Sequence, residues 1–168
     1  MSTYRIEDTR DLQPMIRKLD QFRVGIRRHF ERAMWESVLT LEAEVKERTP
    51  VGVGDSPTGH LRASISSDVV ARDNLLRGIV GSPAEYALPV EEGTRPHFPP
   101  PSALVSWVHF KLGVSNAEAR GVAFLVARKI SRTGTKGVFM FDEGWKAARP
   151  KLRRYFSSAF YRAWRSLK

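Results

Sequence analysis

At 168 residues, 42% of them hydrophobic, the chain has the size of one ordinary domain and can bury a core without covalent staples. It contains no cysteine, which excludes disulfides, thiolate metal sites and a cysteine nucleophile. Its formal net charge of +10 is uneven: residues 1–48 contribute +1, residues 49–125 contribute −1 and residues 126–168 contribute +10, so the excess is a local feature of the last quarter.

Met1 to Asp11 mixes acids and bases without an apolar run, and no stretch approaches about 18 consecutive apolar residues, so neither a leader nor a membrane span is expected. Beyond it, Leu19, Phe22, Ile26, Phe30, Ala33, Met34, Val38, Leu41 and Val45 recur in steps of three and four. That spacing predicts a long amphipathic helix from Phe22 to Arg48. Thr49-Pro50 ends it, because the residue before a proline is pushed out of the helical region. Residues 50–59 hold three glycines and two prolines and read as a loop.

Residues 60–82 read as a β-hairpin: an alternating run from Leu61 to Ala71, a turn at Arg72-Asp73-Asn74, and a second run from Leu75 to Gly81. Pro83 to Glu92 allow one helical turn, and Gly93 to Pro101 form a proline-rich loop. Pro101 suits the first position of a helix running to Leu112. Ser115 with Glu118 three residues later predicts a capping box at the head of a helix from Asn116 to about Ser131. Val138 to Phe141 are apolar enough for a further strand. The final helix, expected over residues 143–167 with Asp142 as N-cap, places Trp145, Ala148, Leu152, Phe156, Ala159, Phe160, Ala163, Trp164 and Leu167 on one stripe. Arg149, Lys151, Arg153, Arg154, Arg162, Arg165 and Lys168 fill the other face. Pro150 should either kink this helix or mark its beginning.

No catalytic constellation emerges. Val51 to Gly54 and Thr133 to Gly137 are glycine-rich, but neither matches a phosphate-binding loop between strand and helix. The histidines at 29, 60, 97 and 109 lack metal-ligand spacing. Glu91 and Glu92 are adjacent and so point in different directions, unlike a pair flanking one bond. No nucleophile elbow accompanies His60 or His97. The expectation is a non-enzymatic protein with no cofactor and no metal.

The string from Thr49 to Ile65 contains T-P, then T-G-x-L-R-x-S, and the string from Val80 to His97 contains V-G, Y-A and E-x-G-T. In order and spacing these resemble the minor tail or tail-completion family of long-tailed double-stranded-DNA phages, commonly named after the tenth gene product of a lambdoid coliphage. The matching residues are Lys46, Thr49, Pro50, Thr58, Gly59, Leu61, Arg62, Ser64, Val80, Gly81, Tyr86, Ala87, Glu91, Gly93 and Thr94. Coverage by motif runs from about residue 20 to about residue 100. The chain departs from the pattern between Pro99 and Gly137, where two helices stand in place of a shorter connection; this insertion is expected over residues 101–132.

The fold expected is therefore α+β: a long N-terminal helix (22–48) and a basic C-terminal helix (143–167) packed on a small antiparallel sheet, with a helical insertion, in a single tail-completion-like domain over residues 1–168. The resemblance implies a virion protein, made in the host cytoplasm, that joins the tail to the head connector. It also implies contacts with connector or stopper proteins on one side and tail terminator or tail-tube proteins on the other. Copies around the tail axis would form a ring, a hexamer being the size considered. Candidate interface residues are Glu91 and Glu92 just before the proline-rich loop, Thr94, Arg95, His97 and Phe98 within it, and Arg149, Arg153, Arg154, Arg162 and Arg165 in the final helix. The alternative is a DNA-binding protein that uses this basic helix, whose Tyr155, Tyr161 and Trp164 interleave with arginines. In a virion the same face could touch channel DNA without reading its sequence.

Overall fold

A computed structural model describes residues 13–51, 59–72 and 75–165. Residues 1–12, 52–58, 73–74 and 166–168, on which most of the expected loop, part of the expected turn and the expected helical positions of Leu167 and Lys168 fall, lie outside the described residues. The α+β class expected from the sequence is the one observed.

Helix α1 (Gln13–Arg48) is 36 residues long, about 54 Å at 1.5 Å per residue. Thr49 closes it, its buried hydroxyl donating to the Val45 carbonyl at 2.7 Å. A five-residue helix α2 (His60–Ser64) follows Gly59, whose φ of 71° is left-handed. These residues were expected to open the hairpin; instead strand β1 (Ser66–Arg72) begins beyond them and pairs antiparallel with β2 (Leu75–Gly81), from Ser66↔Gly81 to Arg72↔Leu75. Gly78 lets this hairpin seat on α1, since a Cβ there would lie 2.5 Å from Val38 Cγ1 and 2.7 Å from Met34 Sδ.

Helix α3 (Ala87–Glu92) leads directly into β3 (Gly93–Thr94). Helix α4 (Pro101–Leu112) has Pro101 at its head as expected and ends on Gly113, φ 65°. Helix α5 (Asn116–Thr133) starts with the expected capping box: Glu118 N–H donates to Ser115 Oγ, and Ser115 N–H donates to the Glu118 carboxylate. Together α4 and α5 enclose their own apolar core around Val108, Ala119 and Ala123. Strand β4 (Thr135–Lys136) returns to pair with β3. The strand expected at Val138 to Phe141 is thus displaced toward the N-terminus. Val138 and Phe139 still donate N–H groups to the Val90 and Glu91 carbonyls, while Met140 already begins the final helix.

That helix, α6 (Met140–Arg165), runs unbroken through Pro150, which is exposed, so water can take the bond its missing N–H leaves open. It lies antiparallel along α1: Lys151 Nζ meets Glu44 at 2.6 Å, Tyr155 and Thr40 share a hydroxyl contact at 3.2 Å, and the Phe156 ring packs tilted against Phe30 with centroids 5.9 Å apart. The seam is made of small side chains, Ala33, Ser37 and Val45 on α1 and Gly144, Ala148, Ala159 and Ala163 on α6. Small residues bring the helix axes together, so the large side chains flank the seam instead of filling it. This changes the expected stripe. Trp145, Phe160 and Trp164, placed there with the core residues, are 46%, 57% and 53% exposed. The main core lies at the other end of the pair, where Val45, Leu61, Ile65, Ala87 and Met140 meet, with Val80 and Tyr86 packed against them.

Candidate assembly surfaces

The motif residues first fasten the chain to itself. Arg62 donates to the Thr49 carbonyl from Nη2 at 2.6 Å, tying the end of α1 to α2. Ser64 and Ser82 share a hydroxyl contact at 2.7 Å, and the Ala84 N–H donates to Ser82 Oγ, so the residues before β1 and after β2 are fastened together. Leu61 and Ile65 are buried in the core that these contacts surround.

The E-x-G-T string does the same at the head of α6. The Glu91 carboxylate accepts the Phe141 N–H at 3.0 Å and the Asp142 N–H at 3.2 Å, two of the donors that a helix start leaves unpaired. Its negative charge also suits the positive end of the helix dipole. Asp142, expected as the N-cap, lies one turn further in and pairs with Lys146 at 2.7 Å. Flanked by Asp142 and then Glu143, the Lys146 ammonium is held above its ordinary pKa. Next to Glu91 two backbones cross. A Cβ at Gly93, whose φ is 83°, would lie 2.3 Å from the Thr135 carbonyl oxygen, and one at Gly137 would lie 2.4 Å from that of Glu91. Thr94 Oγ1 accepts the Thr135 N–H and contacts its hydroxyl at 3.0 Å.

Of the loop candidates, then, Glu91 and Thr94 face other parts of the chain. Glu92, Arg95, His97 and Phe98 are exposed. His97 Nδ1 approaches the Arg95 carbonyl at 2.9 Å, and Phe98 lies edge-on to Phe124 of α5 at 6.1 Å. Loop and helical insertion therefore meet through exposed aromatic side chains, and Phe110, Leu112 and Leu125 of the insertion are exposed as well.

On α6, Arg149, Arg153, Arg154, Arg162 and Arg165 are all exposed, and among the described residues none has an acidic partner within ion-pair distance. Arg165 instead covers the Tyr161 ring at 5.7 Å. Helical spacing divides them: Arg149 and Arg153 share a flank with Phe156, Phe160 and Trp164, while Arg154 lies with Tyr161 and Arg165 on the other. The first flank borders an open groove of about 620 Å³ between α1, the hairpin and α6, with Val24, Ile26, Phe30, Leu75, Leu76 and Phe156 among its walls.

Sequence reasoning missed Phe139. It is 49% exposed and holds a left-handed φ of 56°, a conformation that costs a non-glycine residue about 1–3 kcal/mol. No sequence signal marks it. Among the described residues, no cluster of three His, Asp or Glu could hold a metal ion, and no helix is long and apolar enough to cross a membrane.

These features define an α+β protein built on a closely packed helix pair, with its signature strings turned inward and its aromatic and arginine side chains turned outward. Residues 13–93 match the family described as "Bacteriophage HK97-gp10, putative tail-component", so over that segment the chain is similar to the HK97-gp10-like family. Comparison with curated proteins and with solved structures found no match.

Proposed function

We propose that the protein is a structural component of a tailed-phage virion that acts at the head-to-tail joint as a tail-completion component, in a ring of copies and without catalysis of its own. The family match over residues 13–93 supports the tail assignment. The observation that carries the assembly role is the amount of apolar side chain left in water. Phe160 and Trp164 on α6, Phe110 and Phe124 on the insertion, and Met15, Ile16 and Leu19 on α1 are all at least 44% exposed. Exposed apolar side chains of this size and number favour sites of association. A closed ring needs two different patches on each subunit; the arginine-edged aromatic flank of α6 and the Phe98–Phe124 surface are two such patches. Connector or stopper proteins and tail terminator or tube proteins are the partners this position implies. Gold-labelled antibody against the chain should mark the neck of finished particles; label confined to free protein would refute the assignment.

The exposed arginines, which have no acidic partner among the described residues, favour a second reading, in which α6 binds duplex DNA. That reading requires an affinity for naked duplex that falls steeply with salt. Charge reversal at Arg153, Arg154 and Arg165 that left this affinity unchanged would eliminate it.

A further inference from the structure

The hairpin is a two-stranded sheet, so each strand has one edge that no other strand among the described residues covers. Isolated pairs of this kind are marginal in water, and uncovered seven-residue edges are templates for another strand. Neither β1 nor β2 contains a proline to block pairing.

The direction of the free groups can be read from one contact. The Val69 N–H donates to the Asp68 carboxylate at 2.7 Å, so it points away from β2. By the alternation of an antiparallel ladder, Ser67, Val69 and Ala71 then present their backbone groups on the open edge of β1, and their cross-strand partners Val80, Gly78 and Leu76 do so on the open edge of β2. On the face turned away from α1, each strand carries charged and apolar residues that mismatch within the hairpin: Asp68 lies opposite Ile79, Val70 opposite Arg77, and Arg72 opposite Leu75.

We propose that neighbouring copies of this chain join by pairing the open edge of β2 on one copy with the open edge of β1 on the next, making one continuous antiparallel sheet around the ring. The inference rests on the ring reading above and adds a backbone contact between neighbouring copies to the two side-chain patches named there. Rotation of a hairpin about a ring axis keeps strand directions alternating, so β2 meets the next β1 antiparallel. Hydrogen bonding requires Leu76 and Gly78 to face Val69 and Ser67 of the next copy, or a register two residues removed. The first register sets Arg77 opposite Asp68 and Leu75 opposite Val70, matching charge with opposite charge and apolar with apolar. Shifting by two restores the mismatches of the single hairpin, and shifting by four sets Arg77 against Arg72. Charge complementarity thus selects one register. Asp68 has two successive roles in it: occupying the Val69 N–H while the edge is free, then turning to Arg77 once the neighbour's Leu76 carbonyl takes that N–H.

The absence of cysteine makes the test clean. Val70→Cys and Leu75→Cys are made in separate chains, at positions 42% and 60% exposed, so neither should disturb folding. Residues facing each other in a non-hydrogen-bonded pair have Cα atoms about 4.5 Å apart, within disulfide reach. Particles assembled with both variants should yield disulfide-linked dimers on mild oxidation, and particles assembled with either alone should yield none. As a second measurement, Asp68→Arg and Arg77→Asp should each lower incorporation into particles by roughly tenfold, and the two together in one chain should restore it. Chain present in particles without mixed dimers would overturn edge pairing while leaving the tail role standing. Dimers from one variant alone would indicate two-fold pairing and also overturn it. Chain missing from particles altogether would remove the ring reading and this inference with it.

Discussion

Gly144→Ala tests the small-residue seam because two effects of similar size oppose each other there. In an ordinary helix interior, alanine is favoured over glycine by about 1 kcal/mol. At Gly144 the added Cβ would lie 2.7 Å from Val45 Cγ2 and 3.1 Å from both the Cα and the N of Val45. The Cγ2 could rotate away, but the backbone atoms can retreat only if the whole helix pair moves apart. Overpacking of this kind costs about 1–3 kcal/mol, more if the tie between Lys151 and Glu44 is stretched as the axes separate. The net expectation is a loss of up to about 2 kcal/mol, or up to about 8 °C in Tm for a chain of this size. Gly121→Ala is the matched control. Gly121 lies within α5 with nothing inside 4 Å of the position a Cβ would take, so the same substitution should raise stability by about 0.5–1 kcal/mol. Differential scanning calorimetry of both variants measures the contrast. A Gly144→Ala protein that melts as high as the Gly121→Ala protein would refute the close seam and the helix arrangement built on it.

Glu91→Gln keeps the shape of the side chain but removes the charge at the head of α6; Tm should fall by the equivalent of about 1 kcal/mol, measured by thermal melting at low salt, with the difference shrinking as salt is added. Gly93→Ala should be far more damaging, several kcal/mol, because a left-handed φ and a backbone carbonyl 2.3 Å away act together; expression without soluble protein, or a collapsed Tm, is the expected readout. Lys151 and then Arg48 hold the Glu44 carboxyl below its ordinary range, and Lys46 and then Ser67 do the same for Glu42. Their contribution is therefore complete above the ordinary carboxylate range near pH 4.5 and is lost as pH falls through the lowered folded-state values. Melts taken from pH 7 to pH 3 should show stability falling on that acid limb, less steeply in Glu44→Gln.

Local chemistry made much of the fold legible. A proline after Thr49, a proline at the head of α4, the Ser115–Glu118 box and the alternation of the hairpin each act within a few residues, so the sequence alone locates them. Residues 60–64 were misread because H-L-R-A-S alternates as well as a strand does, and only Gly59 with its left-handed turn starts the helix there. The α6 stripe was misread for a different reason: hydrophobicity ranks tryptophan and phenylalanine above alanine, whereas close approach of two helices selects the smallest residues. The spacing of Gly144 to Ala148 and of Ala159 to Ala163, four residues each, was the available signal. Glu91 could not have been recognised as a cap, because the N–H groups it accepts lie 50 and 51 residues away and only the glycine crossing at Gly93, Gly134 and Gly137 brings them near. The arginines were legible as a charge excess; their division between two flanks was not, since that depends on which face α1 covers.

The most direct measurement of the central claim is the phenotype of particles made without this chain. A clean deletion should leave normal filled heads and normal tails that fail to join into infectious virions, with infectivity recovered when the wild-type chain is supplied. Joined, fully infectious particles from the deletion would contradict the head-to-tail role.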